Sequence, residues 1–346
     1  MRVIEDGTPD GAAEAAYPWG PDRVRFSVIV PAYNAAHYLR RTLPAIAVAA
    51  ERFGDAEIIL VDNGSTDATR SVATGCCPQA RILKLPRGTI SRARNAGAQC
   101  ASGEYLVFLD ADCLVDPDYL QVLEECLASS NVPVTGSSYA LPERAHWIES
   151  AWHNLHRRRG SGPTRLIPGG NLIVQRTAFE EVGGFDETLI TGEDHDLCER
   201  LSSTGRVPYA DLRIRAVHLG NPKDLGSFFR RNVWHALGAA RGTQLMRDRI
   251  FQAAVVHCLF ILGGATAVVL GLMQRSVLTL TLGMALLFAL PTAAVIYRVA
   301  TRGGGVSLRN GGLVFTSSLM LYSVYLVSRA WAALLILSGN AESYGK

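Results

Sequence analysis

Three apolar stretches fill most of the last hundred residues: Phe251–Met273, Ser276–Tyr297 and Leu313–Leu337. Each exceeds the roughly 20 residues with which an α-helix crosses the hydrocarbon core of a bilayer. Backbone polar groups in lipid must be satisfied within their own helix, so the region is helical, and a buried soluble bundle is the competing arrangement. Pro291 is placed to kink the second helix, and Arg329 to snorkel toward the far interface from the third. Five arginines (Arg230, Arg231, Arg241, Arg247 and Arg249) precede the first span, and Arg298, Arg302 and Arg309 separate the second from the third. Only Arg275 lies in the first loop. The positive-inside rule then puts the preceding polypeptide on the cytosolic face of an inner or plasma membrane. Just before the spans, Leu225, Phe228, Phe229, Val233 and Leu237 share one side of a helix that also carries Arg230, Arg231 and Arg241. A basic amphipathic helix of this kind suits the membrane interface.

Upstream the composition is that of a soluble α/β protein. The net charge of +3 gives no electrostatic footprint for nucleic acid. Seven cysteines without C-x-x-C or zinc spacing read as reduced thiols facing the cytosol. The opening segment is acidic, rich in Ala and Gly, and lacks an apolar h-region, so a loose tail is expected there and no cleaved signal peptide. The resulting division is a tail at 1–23, an α/β domain at 24–222, an interfacial helix at 223–250, three transmembrane helices at 251–338 and a C-terminal tail at 339–346.

Within the α/β part, short apolar runs alternate with helical spacing. Phe26 to Val30, Ile58 to Val61, Arg81 to Leu85 and Tyr105 to Leu109 read as strands. Leu39, Leu43 and Ile46 mark one intervening helix, and Thr89 to Ala101 another. This alternation predicts βαβ units, a mainly parallel sheet and right-handed crossovers. After Asp112 the pattern weakens. A helix is expected from Pro117 to about Ala128, an edge strand within Val132 to Ser138, and a helix with Trp147, Ile148, Ala151, Trp152 and Leu155 on one face. A short strand follows at Leu172 to Val174, then a helix opening at Gly192-Glu193-Asp194, and a last strand closing at Val217-His218.

The strand Tyr105 to Leu109 runs straight into Asp110-Ala111-Asp112. In an extended chain residues i and i+2 share a side, so both carboxylates face one point at the C-terminal end of a buried strand. Open α/β sheets bind ligands at that edge, and two convergent carboxylates suit a divalent cation that also grips phosphates. A solvated acidic turn is the plainer alternative.

Five segments, FSVIVPAYN, EIILVDNGSTD, SRARNAGA, YLVFLDAD and GEDHDL, resemble in this order the family 2 glycosyltransferases of the GT-A fold, over about Arg25 to Leu219. The resemblance implies a nucleotide-binding half joined to an acceptor-binding half, and transfer of a sugar from a nucleotide-sugar donor with inversion at the anomeric carbon. It implies Mn2+ or Mg2+ at Asp110 and Asp112, with His218 as a third ligand. Pro31, Tyr33, Asn34, Asp62, Arg94, Asn95 and Asp110 would line the donor, Asp62 taking a uracil-like base or ribose and Arg94 a phosphate. Asp194 matches the position of the catalytic base, with Glu193 or Asp196 orienting the acceptor. Helix capping is the alternative role for Asp62 and Asp194.

Weaker features are Gly169-Gly170-Asn171, which would shape the acceptor pocket, and Arg230-Arg231…Trp234. The latter matches only in part the Q-x-x-R-W motif of processive members, which argues against long-chain synthesis. The acceptor implied is a lipid-linked or cell-envelope glycan, with membrane lipids as partners. A polyprenyl-phosphate sugar transferase and a non-catalytic nucleotide-sugar sensor are the rival readings.

Overall fold

The computed structural model describes residues 3–4, 24–130, 132–239, 249–302 and 311–340. Most of the expected 1–23 tail, Arg241, Arg247, Arg309 and residues 341–346 lie outside them. The chain forms two compact units, Met1–Pro142 with Gly160–Gly220, and Glu143–Arg159 with Asn221–Lys346.

The first unit opens with β1 (Val3–Ile4), β2 (Phe26–Ala32), α1 (Ala36–Phe53), β3 (Ala56–Asn63), α2 (Thr69–Cys76), β4 (Arg81–Leu85), α3 (Ile90–Gln99) and β5 (Tyr105–Leu109). It continues through β6 (Cys113–Val115), α4 (Tyr119–Ser130) and β7 (Val134–Gly136). After α5 (Trp147–His156), which belongs to the second unit, come β8 (Gly162–Pro163), β9 (Asn171–Gln175), α6 (Arg176–Glu181), α7 (Glu193–Ser203), β10 (Tyr209–Ala210) and β11 (Ala216–His218).

The main sheet has the order β1-β4-β3-β2-β5-β9-β7-β10-β8. Strands β4, β3, β2 and β5 are parallel, while β9 runs antiparallel to both β5 and β7. Alternation of side chains across the sheet builds two cores. Val28, Val30, Ile58, Leu60 and Val107 face the layer of α1 and α4, where Leu39, Leu43 and Ile46 of α1 are buried. Ile29, Ile59, Val61, Leu106 and Phe108 face the other way, with Phe179, Leu197 and Leu201. Phe108 meets Phe185 edge-on at 5.1 Å between centroids. The sheet thus carries an apolar layer on each face, which explains why its central strands read as unbroken apolar runs.

Two local expectations change. The strand expected at an edge within Val132 to Ser138 is β7, an interior strand between β9 and β10. It is covered by β10 and β8, two-residue strands too short to leave a periodic signal. The helix expected from Thr89 starts at Ile90, because Thr89 is the N-cap and its Oγ1 accepts from Arg92 N at 3.2 Å.

The second unit comprises α5, α8 (Leu225–Ala239), α9 (Arg249–Met273), α10 (Val277–Arg302) and α11 (Gly311–Leu337). Three of its helices are long and apolar enough to cross a membrane: Arg249–Met273, Val277–Arg298 and Phe315–Leu337, with mean hydropathy 2.2, 2.0 and 1.6. α9 and α10 form an antiparallel hairpin that packs closely where Gly264 faces Gly283 and Gly271 faces Leu280. α5 opens with a capping box, His146 N donating to Glu149 Oε2 at 2.7 Å. Its Ile148 and Ala151 are buried with Phe228 of α8 and Leu321 of α11, whereas Trp147, expected on that face, is exposed. The apolar face of α8 is covered by α11: Val233 and Ala236 pack on Ala332.

Candidate active site

The turn after β5 is held from several sides. Cys113 N donates to Asp110 O at 2.9 Å, and Thr42 Oγ1 of α1 donates to Ala111 O at 2.7 Å. β6 then pairs antiparallel with β11, placing His218 opposite Cys113. That register brings the imidazole Nε2 to 3.4 Å from Asp112 Oδ2. One ligand atom each from Asp110, Asp112 and His218 lies within 4.8 Å of the others. Two carboxylate oxygens and an imidazole nitrogen form a donor set suited to Mn2+ and usable by Mg2+.

Glycines let the backbone approach these carboxylates. A Cβ on Gly170 would stand 2.1 Å from Asp110 Oδ2, and one on Gly220 would stand 2.0 Å from Asp112 Oδ2. Any larger residue would displace the carboxylate. The fit of the cradle around both aspartates is consistent with a cation held there. Asn171 itself is a strut: it is fully buried, accepts from Tyr119 Oη at 2.6 Å, and donates to Ser137 O and Ile214 O.

Arg94 links this group to the start of α7. Its side chain is only 2% exposed; Nη2 donates to Asp110 Oδ1 at 2.8 Å and Nη1 to Glu193 Oε1 at 2.7 Å. These two bonds use two of the five guanidinium N–H groups, and Nε is buried without a hydrogen-bond partner. Burial alone would lower the guanidinium pKa, but the Asp110 and Glu193 charges hold it above the usual arginine value. For Asp110, burial pushes upward, and Arg94, His218 and a Tyr139 hydroxyl outweigh it, leaving the carboxyl below its ordinary range.

Asp194 has a different environment. Its Oδ2 accepts from Gly169 N at 3.1 Å and its Oδ1 from its neighbour His195 N at 2.8 Å. Burial and then the adjacent Glu193 charge raise its pKa; Arg94 and the two backbone donors only partly offset them. A carboxylate raised this way, near an Asp110 held below its ordinary range, is suited to accept a proton. Asp196, the other residue expected to orient an acceptor, is paired with Arg200 at 2.6 Å.

A second group lies at the C-terminal ends of β2 and β3. Pro31 and Ala32 close β2 beside Val61 and Asp62. Asn34 adopts a positive φ of 48°, and its Oδ1 accepts from Thr66 N at 2.9 Å and Asp67 N at 3.3 Å, tying the two loops together. Asp62 is buried, with Oδ1 accepting from Ser65 N at 2.9 Å and Oδ2 facing Arg70 Nε at 3.1 Å. Tyr33 is exposed, and the Arg87 guanidinium stacks on its ring at 3.4 Å from the centroid. Asn95 points elsewhere. Its amide exchanges hydrogen bonds with the Phe185 backbone at 2.8 and 2.9 Å and so holds the Gly183-Gly184-Phe185 turn.

Two residues here were not legible in the sequence. Tyr139 Oη donates to Asp110 Oδ2 at 3.2 Å and accepts from Gly170 N at 3.1 Å. Arg87 sits on Tyr33. Neither belongs to a periodic run or a motif, and only the fold brings them in.

The C-terminal edge of the main sheet, together with the β6–β11 pair, gathers an aspartate pair, a histidine and a raised carboxylate on a fold of the GT-A type. The family profile "Glycosyl transferase family 2" matches residues 27–183, most of the α/β domain. Among characterised relatives, glycosyltransferase AglE of Haloferax volcanii is 27% identical over 188 residues, 52% of this chain and 62% of AglE. The pre-mycofactocin glycosyltransferase of Mycobacterium tuberculosis is 26% identical over 230 residues, 62% of this chain and 46% of that enzyme. The similarity therefore spans less than two thirds of either relative. A mannosyltransferase from Pyrobaculum calidifontis, solved in complex with GDP-Man and Mn2+, shares the fold with a TM-score of 0.55 at 19% identity, covering 94% of this chain and 91% of its own.

Proposed function

We propose that this chain is a membrane-anchored, divalent-cation-dependent glycosyltransferase that moves a sugar from a nucleotide-sugar donor to an acceptor hydroxyl with inversion. The observation that carries the reading is the double ion pair of Arg94, which couples the Asp110/Asp112/His218 group to Glu193-Asp194. The nucleotide-sugar and Mn2+ of the P. calidifontis enzyme support it by analogy of fold. Asp110, Asp112 and His218 would hold a divalent cation, which would supply Lewis-acid stabilisation of the leaving diphosphate. The chain's own residues do the rest. Asp194 takes the proton of the acceptor hydroxyl as the oxygen attacks the anomeric carbon opposite the leaving group, a single displacement that inverts configuration. Glu193, held by Arg94, fixes the start of α7 and hence the aim of Asp194. Tyr33 with Arg87, beside Asp62 and Asn34, offers a flat face and polar rim for the nucleobase, uridine being the base the sequence favours.

The arginine distribution supports a cytosolic position for the catalytic domain, where nucleotide sugars would reach it, and the acceptor in this reading is a lipid-linked or cell-envelope glycan. Incubating membranes that contain the protein with a panel of radiolabelled nucleotide sugars, then extracting lipids and polymers, tests the reading. Label entering a lipid-linked glycan supports it. Label on a bare polyprenyl phosphate would favour the polyprenyl-phosphate transferase, and bound donor with no transfer would favour a sensor.

A further inference from the structure

Arg329 stands in the third apolar helix, where an ionised side chain is costly unless a partner answers its charge. Between Leu225 and Asn340 the sequence has one acidic residue, Asp248, and it lies outside the described residues. Of the carboxylates near this segment, Asp224 caps α8 through Ser227 and Glu149 caps α5 through His146. The Arg329 guanidinium lies 5.0 Å from the Tyr325 ring centroid, and its Nε is buried without a hydrogen-bond partner.

α8 runs in the same direction along this stretch of α11, with Phe228 against Leu321 and, further on, Val233 and Ala236 against Ala332. Arg231 and His235 are one turn apart on α8 and so share a side of it. His235 is exposed, yet local desolvation by its neighbours, then the charges of Arg231 and Arg329, lower it to about 4. The imidazole is therefore neutral at physiological pH and has an N–H to donate. Depth follows from the neighbours. α8 carries Arg230 and Arg231, and α5, packed on Leu321, runs into Arg157, Arg158 and Arg159, so neither belongs in hydrocarbon. Arg329 lies at the interface they occupy and not at the far one expected from the sequence. Trp234 and Trp331 are exposed on the same two helices, as indole rings are at headgroup level.

We propose that the seam between α8 and α11 binds the phosphate of an acidic lipid, with Arg231 and Arg329 as guanidinium donors and His235 as a neutral donor. Guanidinium groups match phosphate oxygens with paired hydrogen bonds, and an anion at this point answers the charge of Arg329. The proposal rests on the membrane reading of this unit and not on sugar transfer, so either can fail alone.

Native mass spectrometry of the purified full chain, titrated with phosphatidylglycerol, a polyprenyl monophosphate or phosphatidylcholine, tests it. The wild type retains an acidic lipid in preference to phosphatidylcholine. Arg231→Gln and Arg329→Gln each weaken that retention by about 10-fold or more, equivalent to about 1.4 kcal/mol. Arg275→Gln, in the loop between α9 and α10, leaves it unchanged. Retention of the polyprenyl phosphate over phosphatidylglycerol assigns the site to a carrier lipid, and equal retention assigns it to bulk headgroups. Thermal unfolding followed by tryptophan fluorescence checks that each variant is folded, and Arg329→Lys, which keeps charge but loses the planar fork, is the milder comparator. Wild-type retention in both glutamine variants, or no preference for acidic lipids, overturns the proposal.

Discussion

Replacing Arg94 by methionine separates positioning from simple presence of the acidic residues. Methionine fills much of the same volume but leaves Asp110 and Glu193 facing each other without the cation that now bonds one to each terminal nitrogen at 2.8 and 2.7 Å. Removing one partner of a buried ion pair costs about 3–5 kcal/mol, because the remaining charge stays buried and uncompensated. With Arg94 only 2% exposed, little of that is relieved by solvent. For a domain of this size each kcal/mol lowers the midpoint by about 2–4 °C, so a fall of roughly 6–20 °C is expected. Thermal unfolding of the purified chain followed by tryptophan fluorescence reads it. The deficit should shrink in acid. Asp110 has a depressed pKa in the folded wild type, a contribution present above its unfolded pKa and lost as pH falls through the folded one. In the variant the carboxyls gain protons more readily, so lowering the pH restores stability instead of removing it. An unchanged midpoint at pH 8 would refute the view that Arg94 binds the two halves of the site together.

Four further outcomes follow from the geometry. Gly170→Ala puts a methyl 2.1 Å from Asp110 Oδ2, so Mn2+ affinity should drop at least about tenfold while thermal stability falls by only about 1–3 kcal/mol; calorimetric titration with unchanged Mn2+ affinity would speak against the cradle. Asp194→Asn should lower the transfer rate by about 10²–10⁴-fold with donor affinity little altered, read by nucleotide release and equilibrium binding. The acidic limb of the wild-type rate profile should lie above the ordinary aspartate range, because the raised Asp194 must lose its proton to act, and rate should fall as pH drops through that value. Asp112→Asn should abolish transfer and weaken donor binding only when Mn2+ or Mg2+ is present; full activity in a chelator contradicts the metal role.

How much of this was legible depended on distance along the chain. The Asp110/Asp112 pair is local: an apolar strand ending in two alternate carboxylates shows its geometry in the eight residues from Tyr105 to Asp112. The three helices long and apolar enough to cross a membrane are legible by length and composition alone. His218 and Arg94 were visible as candidates but their contacts were not. His218 reaches Asp112 through the register of β11 on β6, and Arg94 is joined to Glu193, 99 residues away. A buried arginine and a solvated one look the same in a helix pattern, so the double ion pair of Arg94 could not be read from it. The covering of β7 by β10 and β8 was hidden because two-residue strands have no period. The amphipathic pattern of α8 was clear, yet pattern alone does not say whether lipid or another helix covers it; Val233 and Ala236 meet α11.

The central claim is a single displacement with Asp194 as base. Its most direct test is the anomeric configuration of the first product, formed from a nucleotide sugar of known configuration and read by proton NMR coupling before any mutarotation. Inversion, with the product absent when Asp194→Asn replaces the wild type, is the expected result. Retention of configuration would require a covalent or front-face route and would contradict the account.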